Sequence, residues 1–143
     1  MRLSKNFTRD EFRCKCGKCS PDNVRIDSGL VQIIQRIRNV VDVPLVITSG
    51  VRCKEHNETI PGAAKRSWHV PRGEPGSQIC FAADFSYYER DLRTSMGMLK
   101  LYVLADEFNA KGIGLYPGRI HIDTRPEGRA RWTHKTWTWE VTQ

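Results

Sequence analysis

The sequence has no long hydrophobic run. Its apolar stretches span only a handful of residues, which excludes a transmembrane helix. The opening MRLSKNFTRDEF lacks the apolar core and small-residue cleavage site of a signal peptide, so no export signal is expected. Cysteine is scarce and odd in number, with five residues, too few for a disulfide-stapled scaffold. There is no internal repeat, which excludes a solenoid, and no low-complexity linker. No block of one charge sign stands out either. The 16 acidic residues are scattered among 23 basic ones, so no segment reads as a DNA-binding arm.

What is present fits one soluble globular domain over residues 1–143. The chain is 39% hydrophobic and 27% charged, and two independent cores would each be marginal at this length. The formal charge of +7 favours a polyanionic neighbour, either nucleic acid or an anionic cell envelope.

Residues 1–26 read as an irregular, cysteine-containing segment punctuated by Gly17, Pro21 and Asn23. Leu30, Ile33, Ile34, Ile37, Val40 and Val41 then recur at helical spacing, with Asp27 or Ser28 as cap and Pro44 as stop. Leu45 to Ile47 reads as a buried strand. Residues 52–78 read as loop with a short helix, and Ile79 to Phe85 as a second strand. Leu92, Met96, Leu99, Val103, Leu104 and Phe108 mark another helix, stopped near Gly112. Ile113–Tyr116 and Arg119–Thr124 flank Pro117-Gly118, a hairpin turn. Trp137 and Trp139 suggest a last strand or an extended tail within an aromatic segment, 132–143. The expected fold is α+β: a central antiparallel sheet flanked by two main helices.

Four histidines are available: His56, His69, His121 and His134. A lone histidine is more often structural than a ligand, but two of these have company. His69 precedes a strand carrying Asp84. His121 and Asp123 alternate with Ile120 and Ile122, so the two polar side chains share one strand face and require partners or a metal. Two histidines and a carboxylate can hold zinc and leave a fourth position for water. No compact HExxH motif is present, so spacing alone does not establish the site.

The ordered segments Ser49-Gly50-Val51-Arg52, His56-Asn57, Gly62-Ala63, Ser67-Trp68-His69, Ala83-Asp84-Phe85 and Ile120-His121-Ile122-Asp123-Thr124-Arg125 resemble the motifs of the M15 family. That family comprises zinc D,D-carboxypeptidases and L,D-endopeptidases of peptidoglycan stem peptides, phage endolysins among them. The start, Phe7 to Phe12 followed by Cys14-Lys15-Cys16-Gly17, also resembles small phage and bacterial members. The resemblance runs from about residue 5 to residue 132. It implies a hedgehog/D,D-peptidase-like fold and one catalytic Zn2+ held by His69, Asp84 and His121. It further implies that Arg52 binds the substrate carboxylate or carbonyl, a role suited to a planar, permanently charged guanidinium.

Two departures stand out. Family members place the carboxylate ligand closer to the first histidine than the fifteen residues separating His69 and Asp84, so Val70 to Gln78 reads as an enlarged loop. Several members also carry an acid or histidine just before the last ligand, where this chain has Gly118 and Arg119. Asp123 is the catalytic candidate instead, with orientation of His121 as its alternative role; His134 is a further outside candidate. Trp68 either walls a substrate groove or packs in the core, while Tyr87 and Tyr88 read as structural. Asn57 is expected to order the loop after Arg52. Trp132, Trp137 and Trp139 with nearby basic residues can stack on sugars or bases, or cap the core.

Cys14, Cys16, Cys19 and Cys53 can form a second, structural metal site. The alternatives are free thiols or one disulfide, and C-x-C-x-x-C is tighter than most zinc-ribbon spacings. Cys80 reads as a core residue. The leading functional expectation is a zinc peptidase cutting peptidoglycan, made in the cytoplasm and acting on the wall after release or as part of a virion, with other virion or lysis proteins as partners. The alternatives are a zinc-containing wall-binding or structural virion module without turnover and, further off, a basic nucleic-acid-binding domain; no specific nucleic acid is expected as partner.

Overall fold

The computed structural model describes residues 1–19 and 24–138. Its elements run β1 (Val24–Ile26), α1 (Ser28–Val41), β2 (Leu45–Ser49), α2 (Lys54–Glu58), β3 (Gln78–Cys80), β4 (Ala82–Tyr87), α3 (Ser95–Glu107), β5 (Gly112–Tyr116), β6 (Arg119–Asp123) and β7 (Ala130–Thr133). Five strands form one sheet in the order β2-β4-β6-β5-β7, and β1 pairs with β3 in a second, two-stranded sheet. The expected α+β class is observed. The main sheet is antiparallel except at its edge, where β7 runs parallel to β5.

Helix α1 begins where Asp27 Oδ2 accepts the Leu30 amide at 3.1 Å, relieving one of the unpaired donors of a helix start. The same oxygen accepts Thr124 Oγ1–H at 2.7 Å, which pins the helix start to the chain leaving β6. The helix ends at Val41, and Asp42 takes a left-handed conformation two residues before Pro44. Leu30, Ile34 and Ile37 are fully buried, as their spacing predicts, whereas Val40, placed in the same stripe, is exposed in the last turn.

Helix α3 differs from the sequence reading. It starts at Ser95 after a separate 3-10 turn, Arg90–Leu92, and buries Met98, Leu101 and Ala105. Leu92, Met96 and Val103, expected to face inward, are exposed. The helix is apolar around most of its circumference, so periodicity does not single out the buried stripe.

Both helices lie against the face of the sheet formed by Ile47, Phe85, Ile113, Ile120 and Ile122, and burial of each such side chain contributes about 1.5–3 kcal/mol. The N-terminal segment is more ordered than expected. Thr8 and Glu11 bond across a 3-10 turn, Arg9–Phe12, which sets Phe7 and Phe12 into the core. The predicted strand from Ile79 to Phe85 is two strands broken at Phe81, and β3 is diverted to pair with β1. Trp137 packs against the core, whereas Trp139, Pro21 and Asn23 fall outside the described residues. Among the described residues, no helix is long and apolar enough to cross a membrane.

Candidate metal centre

Strand alternation sends Ile120 and Ile122 toward the helices and His121 and Asp123 to the opposite face. On that face the register builds a row. Ser49 pairs with Asp84, Asp84 with His121, His121 with Gly114, and Gly114 with Trp132. Asp84 and His121 are therefore cross-strand neighbours, which hydrophobic pattern alone does not reveal. His69 reaches them from the loop before β3.

Gly50 positions that loop. Its backbone runs so close to Phe12 that an added Cβ would stand 2.6 Å from the Phe12 carbonyl oxygen. In this place the Gly50 carbonyl accepts His69 Nδ1–H at 2.7 Å. A carbonyl only accepts, so the ring proton sits on Nδ1 and the Nε2 lone pair faces the row. His121 is fixed the other way round: its Nε2–H donates to Asp123 Oδ2 at 2.9 Å, leaving the Nδ1 lone pair inward.

Three electron-rich atoms thus converge. His69 Nε2 lies 3.1 Å from Asp84 Oδ1 and 3.2 Å from His121 Nδ1, and His121 Nδ1 lies 2.9 Å from Asp84 Oδ1. All three residues are buried. With both rings neutral no proton lies between these atoms, an arrangement that requires a cation or an extra proton at its centre. Zinc with nitrogen and oxygen ligands at about 2.0–2.1 Å and tetrahedral angles would set them about 3.3 Å apart, so the set fits that ion.

The electrostatics agree. Burial alone would raise the Asp84 carboxyl, but His69 and His121 outweigh it and hold it well below the usual carboxylate range. Burial likewise opposes the charged form of His121, but hydrogen bonds to Asp123 and Asp84 raise it overall. The metal-free site therefore holds a second proton on His121 more readily than free imidazole does, in the place a cation would take.

Asp123 stands behind His121 with no exposed surface. Arg125 clamps it, with Nε on Oδ1 at 2.8 Å and Nη2 on Oδ2 at 2.7 Å. Burial works against its ionised form, yet Arg125 and His121 hold it far below its ordinary value. Asp123 is not among the residues lining the groove, and its contacts with His121 and Arg125 suit orientation of His121, the second of the two roles considered for it.

In front of the three donors lies a groove of about 420 Å³. Four arginines line it, Arg52, Arg66, Arg119 and Arg125, and Asp84 is its only carboxylate among the described residues. Arg52 donates to Ser49 Oγ and Asn57 Oδ1, both at 3.2 Å, and to Asp84 Oδ2 at 3.4 Å. Asn57 also donates to the Ala64 carbonyl at 2.9 Å, ordering the loop after Arg52 as expected. Trp68 lies on the groove wall, with the Arg72 guanidinium 3.9 Å above its ring. The enlarged loop thus supplies a cation that braces this wall.

Sequence reasoning gave Tyr116 and Arg125 no role of their own at the site and left Trp132 between stacking on a ligand and capping the core; all three line the groove. Trp132 Nε1–H donates to Tyr116 Oη at 3.0 Å, and its ring lies 5.1 Å from that of His121. The available signal was Gly114 inside an apolar strand: a Cβ there would sit 2.4 Å from the Trp132 ring, so glycine makes room for the indole. His134 lines the same groove and stacks on Tyr116 at 4.9 Å. The Thr136 amide donates to His134 Nδ1, so the neutral ring carries its proton on Nε2. His56 is not among the residues lining the groove.

A protein-family model described as Peptidase M15 matches residues 5–123. No curated protein and no solved structure matches the chain.

Proposed function

We propose, from the premise that this chain belongs to the zinc-dependent peptidase M15 family, that it hydrolyses an amide bond in the stem peptides of bacterial peptidoglycan. The observation that carries this reading is the convergence of His69, Asp84 and His121 at the floor of an arginine-lined groove. These three residues would hold the ion. When bound, zinc supplies Lewis acidity to a carbonyl oxygen and lowers the pKa of a coordinated water to about 7.

The chain's own residues supply the rest. The Gly50 carbonyl and Asp123 fix the two histidine tautomers, so the donor atoms need no reorganisation. Arg125 keeps Asp123 ionised behind His121. Arg52 and Arg119 lie 3.4 and 3.7 Å from Asp84 Oδ2 and present positive charge to the carboxylates of a stem peptide. A permanently charged, forked donor holds such a group in one orientation, which brings the neighbouring amide to the donor set. Trp68 offers an apolar wall. His134, with its Nε2–H, offers a hydrogen bond to a substrate carbonyl in the groove. The +7 charge draws the protein to an anionic envelope.

The lack of a second groove carboxylate, among the described residues, favours one alternative: a wall-binding or virion module that keeps the metal and lacks turnover. Peptidoglycan digestion by wild type and by His121→Ala separates the readings. The peptidase releases new amino and carboxyl termini in a chelator-sensitive manner, and the variant releases none. A zinc-loaded wild type that binds wall material without forming new termini on any cell-wall chemotype overturns the proposal.

A further inference from the structure

A second cluster lies apart from the groove lining, with one member next to Arg52 in sequence. The sulfurs of Cys14, Cys16, Cys19 and Cys53 all lie within 4.8 Å of one another. Two distant parts of the chain supply them: residues 14–19, just after the Arg9–Phe12 turn, and the residue following Arg52. All four are free thiols, and Cys16 and Cys19 stand 3.2 Å apart, well beyond a disulfide bond of about 2.05 Å. Four thiolates around zinc at about 2.3 Å and tetrahedral angles stand about 3.8 Å apart, within the spread observed.

The backbone around the cluster is arranged for thiolates. Amide N–H groups point at three of the four sulfurs: Lys18 to Cys16, Cys53 to Cys14 and His56 to Cys53, each at 3.3 Å. Gly17 takes a φ of +75°, which lets the Cys16–Cys19 turn fold so that both sulfurs face the same point. Lys15, Lys18 and Lys54 neighbour the cysteines in sequence and are exposed, with Glu55 as an exposed acid beside Lys54. Cys14 is buried and the other three are half-buried, open enough for an ion to enter. Cys80 belongs to the same apolar patch, but its thiol turns to the carbonyls of His69 and Ala82.

We propose that Cys14, Cys16, Cys19 and Cys53 form a structural metal site that takes a zinc-like divalent ion as a closed four-thiolate centre. On binding, the four thiols release their protons to solvent, and no electrons are transferred. The flanking lysines offset the net double negative charge of the loaded centre. With all four positions filled by protein, the centre has no place for substrate and acts as a staple. It ties the N-terminal segment, whose Phe12 carbonyl already accepts the Val51 amide at 2.8 Å, to the loop that presents Arg52. The ion sits one residue away from a groove arginine and holds that arginine's backbone in place.

The test is metal counting and cobalt spectroscopy on the full chain. Wild type prepared without oxidant should carry two zinc ions per molecule, and the His69→Ala/His121→Ala variant should keep one. Cobalt-loaded protein should show intense thiolate-to-cobalt charge-transfer absorption that survives in this histidine variant. Cys16→Ser/Cys19→Ser should lose one ion of two and the charge-transfer band. Should that variant fail to fold, the cobalt spectrum of the wild type and of the histidine variant decides the matter alone. Absence of the band in both, or zinc-treated protein whose intact mass and thiol count show a Cys16–Cys19 disulfide, overturns the proposal. Loss of the groove ion with retention of the thiolate ion would count against the peptidase reading and leave this one standing.

Discussion

Replacing Asp123 with asparagine tests how the donor set is held. In the wild type, Oδ2 accepts from His121 Nε2 at 2.9 Å and from Arg125 Nη2 at 2.7 Å, while Oδ1 accepts from Arg125 Nε and from the Arg125 amide. All four contacts bring a donor to a carboxylate oxygen. Asparagine has one NH2 group, and whichever position it takes sets a donor against two donors. The residue cannot back away on one side, because a Cβ on Gly112 would already lie 2.1 Å from Oδ2. The least costly relief moves the His121 proton from Nε2 to Nδ1, which removes the lone pair directed at Asp84. Losing a carboxylate that orients a ligand histidine weakens metal binding about 10–100-fold, or about 1.4–2.8 kcal/mol. The fold should suffer as well. Removing one member of a buried charge pair costs about 3–5 kcal/mol, and the lower end applies because Arg125 keeps 19% of its side chain exposed. Zinc affinity is measured by competition with a chromophoric chelator at fixed pH and salt, with a denaturation curve on the same sample. A folded Asp123→Asn protein that binds zinc as tightly as wild type refutes the reasoning.

Further outcomes follow from the same geometry. In the metal-free protein, Asp123 and Asp84 are held below their ordinary values, so their stabilisation is present above about pH 4 and is lost as pH falls through the lower, folded values. His121 is raised, so its contribution is full below about pH 6.5 and is lost as pH rises through the higher folded value. Melting temperature in chelator should therefore fall on both sides of that window, and added zinc should flatten the alkaline side. Arg52→Ala should lower kcat/KM on a stem-peptide substrate about 100-fold while the groove ion stays bound, as read by steady-state kinetics and metal analysis. Gly114→Ala should drive Trp132 away from His121 at a cost of about 1–3 kcal/mol, visible in urea denaturation and in the tryptophan emission. Burial pushes the Cys80 thiol up to about 12, so iodoacetamide at mildly alkaline pH should leave it unmodified until the chain unfolds.

The parts of the fold legible in the sequence are those fixed by local chemistry. Helix α1 has one apolar stripe, an aspartate cap and a proline beyond its end, and the β5–β6 hairpin has Pro117-Gly118. Helix α3 was legible as a helix but not in its orientation, because apolar residues surround it and only packing chooses Met98 and Leu101 over Met96 and Val103. The parallel edge strand β7 depends on a pairing that spans the whole hairpin, and no periodicity encodes such a pairing. At the site, the motif residues come together as their resemblance implied, with Asp84 facing His121 across two strands. The tautomer locks were not legible, since one is a backbone carbonyl at Gly50. Nor was the setting of Asp123, which Arg125 clamps at a buried position behind the histidine.

The central claim, a zinc-dependent cut in the peptidoglycan stem peptide, is tested most directly by mass spectrometry of purified sacculi digested with the full-length protein. Sacculi of different stem-peptide and crossbridge types should be compared. The account predicts muropeptide products on at least one type, each carrying one added water per bond cut, absent with chelator and restored by zinc. Zinc-loaded, folded protein that yields no such product on any type would contradict it.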